Sequence, residues 1–193
     1  MGKLHLLAEK FVVPEGFVRP RMDFAGLMGA AHGGRLADLQ GMVPTGDRRL
    51  IERAAARVRE KLESLGEDAG DFGLIHADLH AKNYLFERGL VHAIDFDACS
   101  FGYYLSDIAA TTRMIRHPRI PAPQVLAEFL HGYRQQRDFT AAAEEHLRLF
   151  KVANSLMLAI WMTSRRDNPL LRSQAEEFIR FQLEQIEQYL TYF

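Results

Sequence analysis

The sequence predicts a mainly α-helical domain carrying one small β-hairpin segment, and three observations point that way. Apolar residues recur at three- and four-residue spacing through most of the 193-residue chain, the mark of amphipathic helices. That period breaks once, near residue 72, where short runs rich in Ile, Val, Tyr and Phe take over until about residue 95. There is no internal repeat and no low-complexity tract, and a chain of this length is expected to form one compact unit, residues 1–193.

From the amino-terminal side, residues 4–11 place Leu4, Leu7, Ala8 and Phe11 on one helical face. The segment starts almost at Met1 and reads as the tail of a helix. "VVPEGFVRPRMD" then carries two prolines and a glycine, which suits an extended connector, and Asp23 is placed to cap a helix through Phe24, Leu27, Met28 and Ala31 that ends at Gly33-Gly34. Across 47–65 the set Leu50, Ile51, Ala54, Val58, Leu62 and Leu65 forms an apolar stripe, Arg and Glu fill the other face, and Gly66 is the stop.

Strands are expected at 73–76, 84–87 and 90–95, with Arg88-Gly89 as the hairpin turn between the last two. The helical period then returns at 107–117 and 125–133, separated by "PRIPAP". Two longer amphipathic stretches close the chain, one carrying Leu147, Phe150, Ala153, Met157 and Trp161, the other Phe178, Ile179, Leu183, Ile186 and Leu190.

Composition narrows the function. Lys+Arg (24) nearly balances Asp+Glu (25), so no basic field points to nucleic acid or to an anionic membrane surface. The single cysteine, Cys99, forms no intramolecular disulfide, provides no cysteine-rich zinc module, and fits a reducing compartment. No apolar run approaches the roughly 18 residues of a spanning helix, and Lys3, His5, Glu9 and Lys10 interrupt any signal-peptide core. A cytoplasmic protein with no membrane and no nucleic-acid partner is expected.

The chemistry is concentrated in "HADLHAKN", residues 76–83. His76 and His80 stand four apart, a spacing that serves zinc when both rings leave one face of a helix with a glutamate between them. Here Asp78 and Leu79 lie between, the context is strand-to-loop, and no cysteine helps. Phosphoryl transfer fits better. It needs a carboxylate to orient or deprotonate the attacking hydroxyl, and hard oxygen ligands to hold magnesium against nucleotide phosphates. Asp78 supplies the first, and Asn83 with Asp95 of "AIDFDA" the second. A two-residue hairpin turn sets the start of one strand beside the end of the other, which makes Asn83 and Asp95 near neighbours.

"LIHADLHAKNYLF…VHAIDFDACSFGYYLSDIA" resembles the catalytic segment of the aminoglycoside phosphotransferase / choline kinase-like family, with its His-Gly-Asp-x-His-x-x-Asn, Ile-Asp-Phe-Asp/Glu and Tyr-x-Asp elements. The resemblance implies the helical carboxy-terminal lobe of a protein-kinase-like fold, ATP as donor, Asp78 as base, and Asn83 and Asp95 as magnesium and nucleotide ligands. It also implies that His76, His80 and Asp107 are structural, Asp107 bracing the loop through backbone N–H groups. Asp97 either adds an outer hydrogen bond to the metal cluster or solvates the hairpin end. Cys99 reads as an inert buried thiol. Two positions depart from the pattern or vary within it: Ala77 replaces the usual glycine, harmless unless that residue needs φ > 0, and Lys82 sits in a variable slot.

The amino-terminal lobe that such a kinase uses is not legible here. No G-x-G-x-x-G, no G-x-x-x-x-G-K-[ST] and no Val-Ala-Ile-Lys-like strand occurs, and "KLHLLAEKFVVPEGFVRPRMDF" resembles the helix and connector that follow that lobe. The expectation is a truncated chain or one whose lobe comes from another chain, inactive or poorly active alone and self-associating through an exposed apolar lobe interface. The acceptor is expected to be a hydroxyl on a small molecule. Glu144, Glu145, Asp167, Glu176 and Glu177 either attract a cationic acceptor or form a solvated face. The competing readings are a non-catalytic binding or scaffold domain that retains the lobe's shape, favoured by the missing lobe, and a metallohydrolase built on the Asp/His cluster.

Overall fold

The computed structural model describes residues 1–30, 33–113 and 119–191. Helices dominate, with four short antiparallel strands between residues 72 and 103. The chain divides into two compact units, Met1–Pro20 with Gly66–Leu147, and Arg21–Leu65 with Arg148–Phe193.

In the first unit, helix α1 (Gly2–Glu9) buries Gly2 and His5. A side chain at Gly2 would press on Gln136, whose Cβ lies 2.8 Å from the position a Cβ would take. Strand β1 (Phe72–Ile75) pairs with β4 (Ser100–Tyr103), Gly73 opposite Gly102. Gly73 is needed there because a Cβ would collide with the Tyr104 hydroxyl. Strands β2 (Tyr84–Glu87) and β3 (Leu90–Ala93) form the hairpin, Tyr84 opposite Ala93 and Glu87 opposite Leu90. Its turn residues have positive φ, 48° at Arg88 and 78° at Gly89, the mirror-image geometry that matches the strands' own twist.

Helix α5 (Tyr104–Arg113) follows β4 directly, and α6 (Ala122–Arg134) opens inside "PRIPAP" with proline in its first turn, where the missing N–H costs nothing. The core of this unit is built from Ile75, Leu79, Tyr104, Ile108, Leu130 and Tyr133. The strand expected at 73–76 is shifted by one residue, and the strand expected to reach 95 ends at Ala93. β4 was not anticipated: four residues, "SFGY", carry too little alternation to mark a strand, and its partner lies about thirty residues upstream. The expected helix at 107–117 begins earlier, at Tyr104, and its residues 114–117 lie outside the described residues.

In the second unit, α2 (Phe24–Met28) is capped by Asp23, whose Oδ1 accepts from the Gly26 N–H at 2.8 Å. It ends at Gly29, and Ala31 lies outside the described residues. Helix α3 (Leu36–Met42), also not anticipated, precedes α4 (Thr45–Ser64). The long α7 (Ala141–Arg165) enters this unit at Arg148, and α8 (Ala175–Leu190) completes it. Leu39, Ile51, Ala54 and Val58 share the core with Leu156, Ile160, Ile179 and Ile186. Among the described residues of this unit, cations lie over aromatic faces at Arg59 over Phe24 (4.4 Å), Arg165 over Trp161 (4.6 Å) and Lys151 over Tyr189 (5.4 Å). Among the described residues, no helix is long and apolar enough to cross a membrane.

Candidate active site

The loop between β1 and β2 carries His76 to Asn83, and α5 holds it at two points one helical turn apart. The first is Asp107, fully buried, whose Oδ2 accepts from the His76 N–H at 2.9 Å and whose Oδ1 accepts from the Ala77 N–H at 2.7 Å. The second is Thr111, whose hydroxyl donates to the Leu79 carbonyl and lies 3.1 Å from the Tyr84 hydroxyl. Residues four apart share a helix face, so one turn of α5 holds both halves of the loop. Burial pushes the Tyr84 hydroxyl up to about 12, which keeps it a neutral hydrogen-bonding group at physiological pH.

The loop path requires strain. Ala77 sits at φ 67°, and Asp95 at φ 65°, in the left-handed region that costs a side-chain-bearing residue about 1–2 kcal/mol. The glycine usual at the Ala77 position would carry no such cost. The Asp107 carboxylate, bonded to the N–H groups of Ala77 and its predecessor, holds this backbone against the strain.

His76 is buried and joins the loop to the hairpin's return strand. Its Nε2 donates to the Ile94 carbonyl at 2.8 Å, its Nδ1 faces the Asp78 N–H at 3.4 Å, and its ring leans on Phe96 with centroids 4.5 Å apart. The Ile94 N–H donates to the Asn83 carbonyl at 3.0 Å, so the ladder ends with Asp95 one residue beyond Asn83's partner.

These bonds present three oxygen-bearing side chains. Asp78 is half exposed; its Oδ2 lies 3.4 Å from the Asn83 amide nitrogen and 3.8 Å from His80 Nε2, while Oδ1 has no partner among the described residues. Asn83 is buried and donates from Nδ2 to the Asp78 carbonyl at 2.9 Å, and its Oδ1 has no hydrogen-bond partner among the described residues. Asp95 is exposed, and its carboxylate makes no hydrogen bond or ion pair among the described residues. His80 stands beside Asp78, its Nδ1 buried without a hydrogen-bond partner among the described residues. Asp97 is exposed, and its carbonyl accepts from Arg19 at 3.3 Å. Cys99 is a buried free thiol lining an apolar hollow of ≈ 190 Å³ beside His76, Leu7 and Phe11.

No three His, Cys, Asp or Glu side chains among the described residues come together to hold a metal by themselves. The available donors are an amide oxygen and a carboxylate, hard ligands of the kind magnesium takes when nucleotide phosphates and water supply the remainder. Of the acidic residues expected on the closing helices, Glu144 is engaged by Arg134 at 2.7 Å. Sequence reasoning missed Thr111, Tyr84 and the deeper supports of Asp107. The available signal for Thr111 was its place four residues after Asp107, on the same face of a helix.

A helical fold that presents an Asp and an Asn from one braced loop and a second Asp from the end of the following β-hairpin is that of the kinase-like phosphotransferases. The profile of the Phosphotransferase enzyme family matches residues 2–146, and the chain belongs to that family. The chain is 25% identical over 112 residues to the amicoumacin kinase of Bacillus subtilis (strain 168), covering 54% of this chain and 33% of that protein. Among solved structures, the microcompartment-associated aminopropanol kinase superposes with a TM-score of 0.82 at 30% identity, over 99% of this chain and 60% of that one. A choline/ethanolamine kinase family protein from Mesorhizobium loti shares the fold, with a TM-score of 0.69 at 14% identity over 98% of this chain and 60% of that one. So does the amicoumacin kinase hAmiN, solved with AMP-PNP, Ca2+ and Ami, at a TM-score of 0.73 and 20% identity over 97% of this chain and 56% of that one. The chain thus spans about a third of the length of its curated relative and 56–60% of these solved relatives.

Proposed function

We propose that this chain is the helical lobe of an ATP- and magnesium-dependent kinase that phosphorylates a hydroxyl on a small molecule. The observation that carries the reading is the division of labour at Asp78 and Asn83. Among the described residues, one Asp78 oxygen is held near the Asn83 amide and His80, the other has no partner, and the Asn83 side-chain oxygen is unengaged.

Asp78 Oδ1 is the group that orients the acceptor hydroxyl and takes its proton as the new O–P bond forms and the bond between the γ-phosphorus and the ADP oxygen breaks. Asn83 Oδ1 and the Asp95 carboxylate are the donors that would hold magnesium against the nucleotide phosphates, where the ion's chemistry is to neutralise phosphate charge. His76, His80 and Asp107 support the loop.

Small amino alcohols are the first acceptors to try, because aminopropanol kinase and the choline/ethanolamine kinase family name that chemistry among the structural relatives. A nucleotide-clamping lobe beyond this stretch completes the site in this reading, in keeping with the relatives' greater length. The apolar hollow beside α1, with Leu7 and Phe11 of its lining exposed, is then a face through which copies of the isolated chain associate. A monomeric elution in size-exclusion light scattering would count against that association.

The deciding experiment is calorimetric titration of magnesium-ATP into the chain and into Asp95→Asn. Magnesium-dependent binding that the substitution abolishes supports the kinase reading. Absence of binding in both would favour a scaffold that keeps the lobe's shape without its activity.

A further inference from the structure

Behind Asp107 runs a second line of hydrogen bonds that touches neither the loop's chemistry nor its exposed side chains. His5 on α1 is completely buried, yet both ring nitrogens are engaged: Nε2 lies 3.3 Å from Asp107 Oδ2, and Nδ1 lies 2.8 Å from the Tyr133 hydroxyl. Tyr133 Oη accepts in turn from Arg137 Nη1 at 3.1 Å. Arg137 also donates from Nε to Glu9 at 2.6 Å and from Nη2 to the Gly70 carbonyl, and its guanidinium lies 4.4 Å from the centre of the Tyr104 ring. That ring stacks on His5 with centroids 4.6 Å apart.

Donor direction is the same at every link. The Asp107 carboxylate only accepts, so Nε2–H goes to it and Nδ1 of the neutral ring is left as acceptor; Tyr133, which accepts from the donor-only Arg137, gives its own proton to Nδ1. Chains of bonds that all point one way reinforce one another in a low-dielectric interior. Asp107 Oδ2 therefore receives two N–H donors, one from His5 and one from His76. Histidine's two neutral tautomers place donor and acceptor on opposite nitrogens. With Nδ1–H instead, the ring would offer a lone pair to a carboxylate.

We propose that Tyr133 and Arg137 are positioning residues: they lock His5 as the Nε2–H tautomer, and through Asp107 they hold the strained His76–Ala77 backbone that aims Asp78. The clamp ties α1 and the end of α6 to the catalytic loop without touching substrate, and its functional meaning rests on the kinase reading of that loop.

The test is long-range nitrogen-proton NMR of the chain labelled at histidine, with His5→Gln to assign the resonance, together with amide hydrogen exchange at His76 and Ala77. In the unsubstituted chain the His5 ring is expected as neutral Nε2–H with a bare Nδ1. Tyr133→Phe removes only the hydroxyl; it is expected to mix the tautomers and to speed exchange of the two amides by about tenfold or more. Arg137→Lys keeps the charge but not the fork, and is expected to move both readouts in the same direction by less. Finding Nδ1–H or imidazolium at neutral pH in the unsubstituted chain overturns the clamp, and this needs no variant to fold. So does unchanged exchange at His76 and Ala77 in Tyr133→Phe. Neither readout involves nucleotide, so a failed magnesium-ATP titration and a failed clamp are separate results.

Discussion

Asp107 and Asp95 lie only twelve residues apart and serve the same small region in opposite ways. Asp107 is fully buried, accepts two backbone N–H groups and receives His5, so each of its oxygens is engaged. Asp95 is exposed on a left-handed backbone, and its carboxylate has no partner among the described residues. A buried carboxylate without partners would be intolerable, and an exposed one with a full set would have no capacity left for a ligand. The site separates the two tasks: a braced side, where Asp107 and Thr111 of α5 are hydrogen-bonded to the loop, and an open side at the hairpin's end, where the Asp95 carboxylate has no partner among the described residues. Substitutions on the first side should reach stability, and those on the second should reach chemistry alone.

The sharpest way to break that contrast is Asp107→Ala. It strands two buried N–H groups and a histidine, and is expected to cost about 3–5 kcal/mol. Because whole domains are stable by about 5–15 kcal/mol, a large loss of the urea midpoint followed by circular dichroism is expected. Asp78→Asn is the opposite case. Once a phosphorylated acceptor is in hand, turnover is expected to fall about 10²–10⁴-fold, while the urea midpoint stays within about 0.5 kcal/mol of the parent. A comparable loss of stability at Asp78 would erase the distinction.

Thr111→Val is a smaller probe of the braced side. It removes the donor to Leu79 and the partner of Tyr84, and is expected to cost about 1–2 kcal/mol in the same urea assay. Acid titrates that side too. Burial lowers the His5 pKa below its ordinary value against the opposing pull of Asp107. Although the pair is within ion-pair distance, burial prevails and the contact is a hydrogen bond from a neutral ring. Tyr133, Tyr104, Arg137 and the Met1 amino group also face the ring. With the folded pKa depressed, the unfolded chain binds the proton first. The His5 contribution is therefore intact above pH about 6.5 and is lost as pH falls through the depressed folded pKa, with a one-proton slope of at most about 1.4 kcal/mol per pH unit. His5→Gln is expected to flatten that part of the stability profile. The smallest change is a gain: Ala77→Gly relieves the left-handed strain and loses part of the benefit to the freer unfolded chain, for a net stabilisation of about 0.5–1 kcal/mol.

Much of this architecture was legible from residue spacing, for local reasons. The α4 stripe, the Asp23 cap and the Arg88-Gly89 turn each depend on neighbours within a few positions. The closeness of Asp78, Asn83 and Asp95 was legible because they lie near one another in sequence on either side of one turn. What escaped depends on distant partners. β4 is a strand because β1 lies beside it, and His5, polar in an otherwise apolar stretch, is buried because Asp107 and Tyr133 arrive from 102 and 128 residues away. Ala77's positive φ was conditional in the sequence and became definite only with the loop path.

Trp161 is the chain's sole tryptophan, and it lies with Arg165 in the second unit, whereas every residue of the candidate site belongs to the first. Indole fluorescence is therefore an optical gauge of one unit only. Overlaid on a backbone-dichroism melt of the same sample, it reads cooperativity directly: coincident curves mean that the two units melt as one, and separated curves mean that each has its own transition.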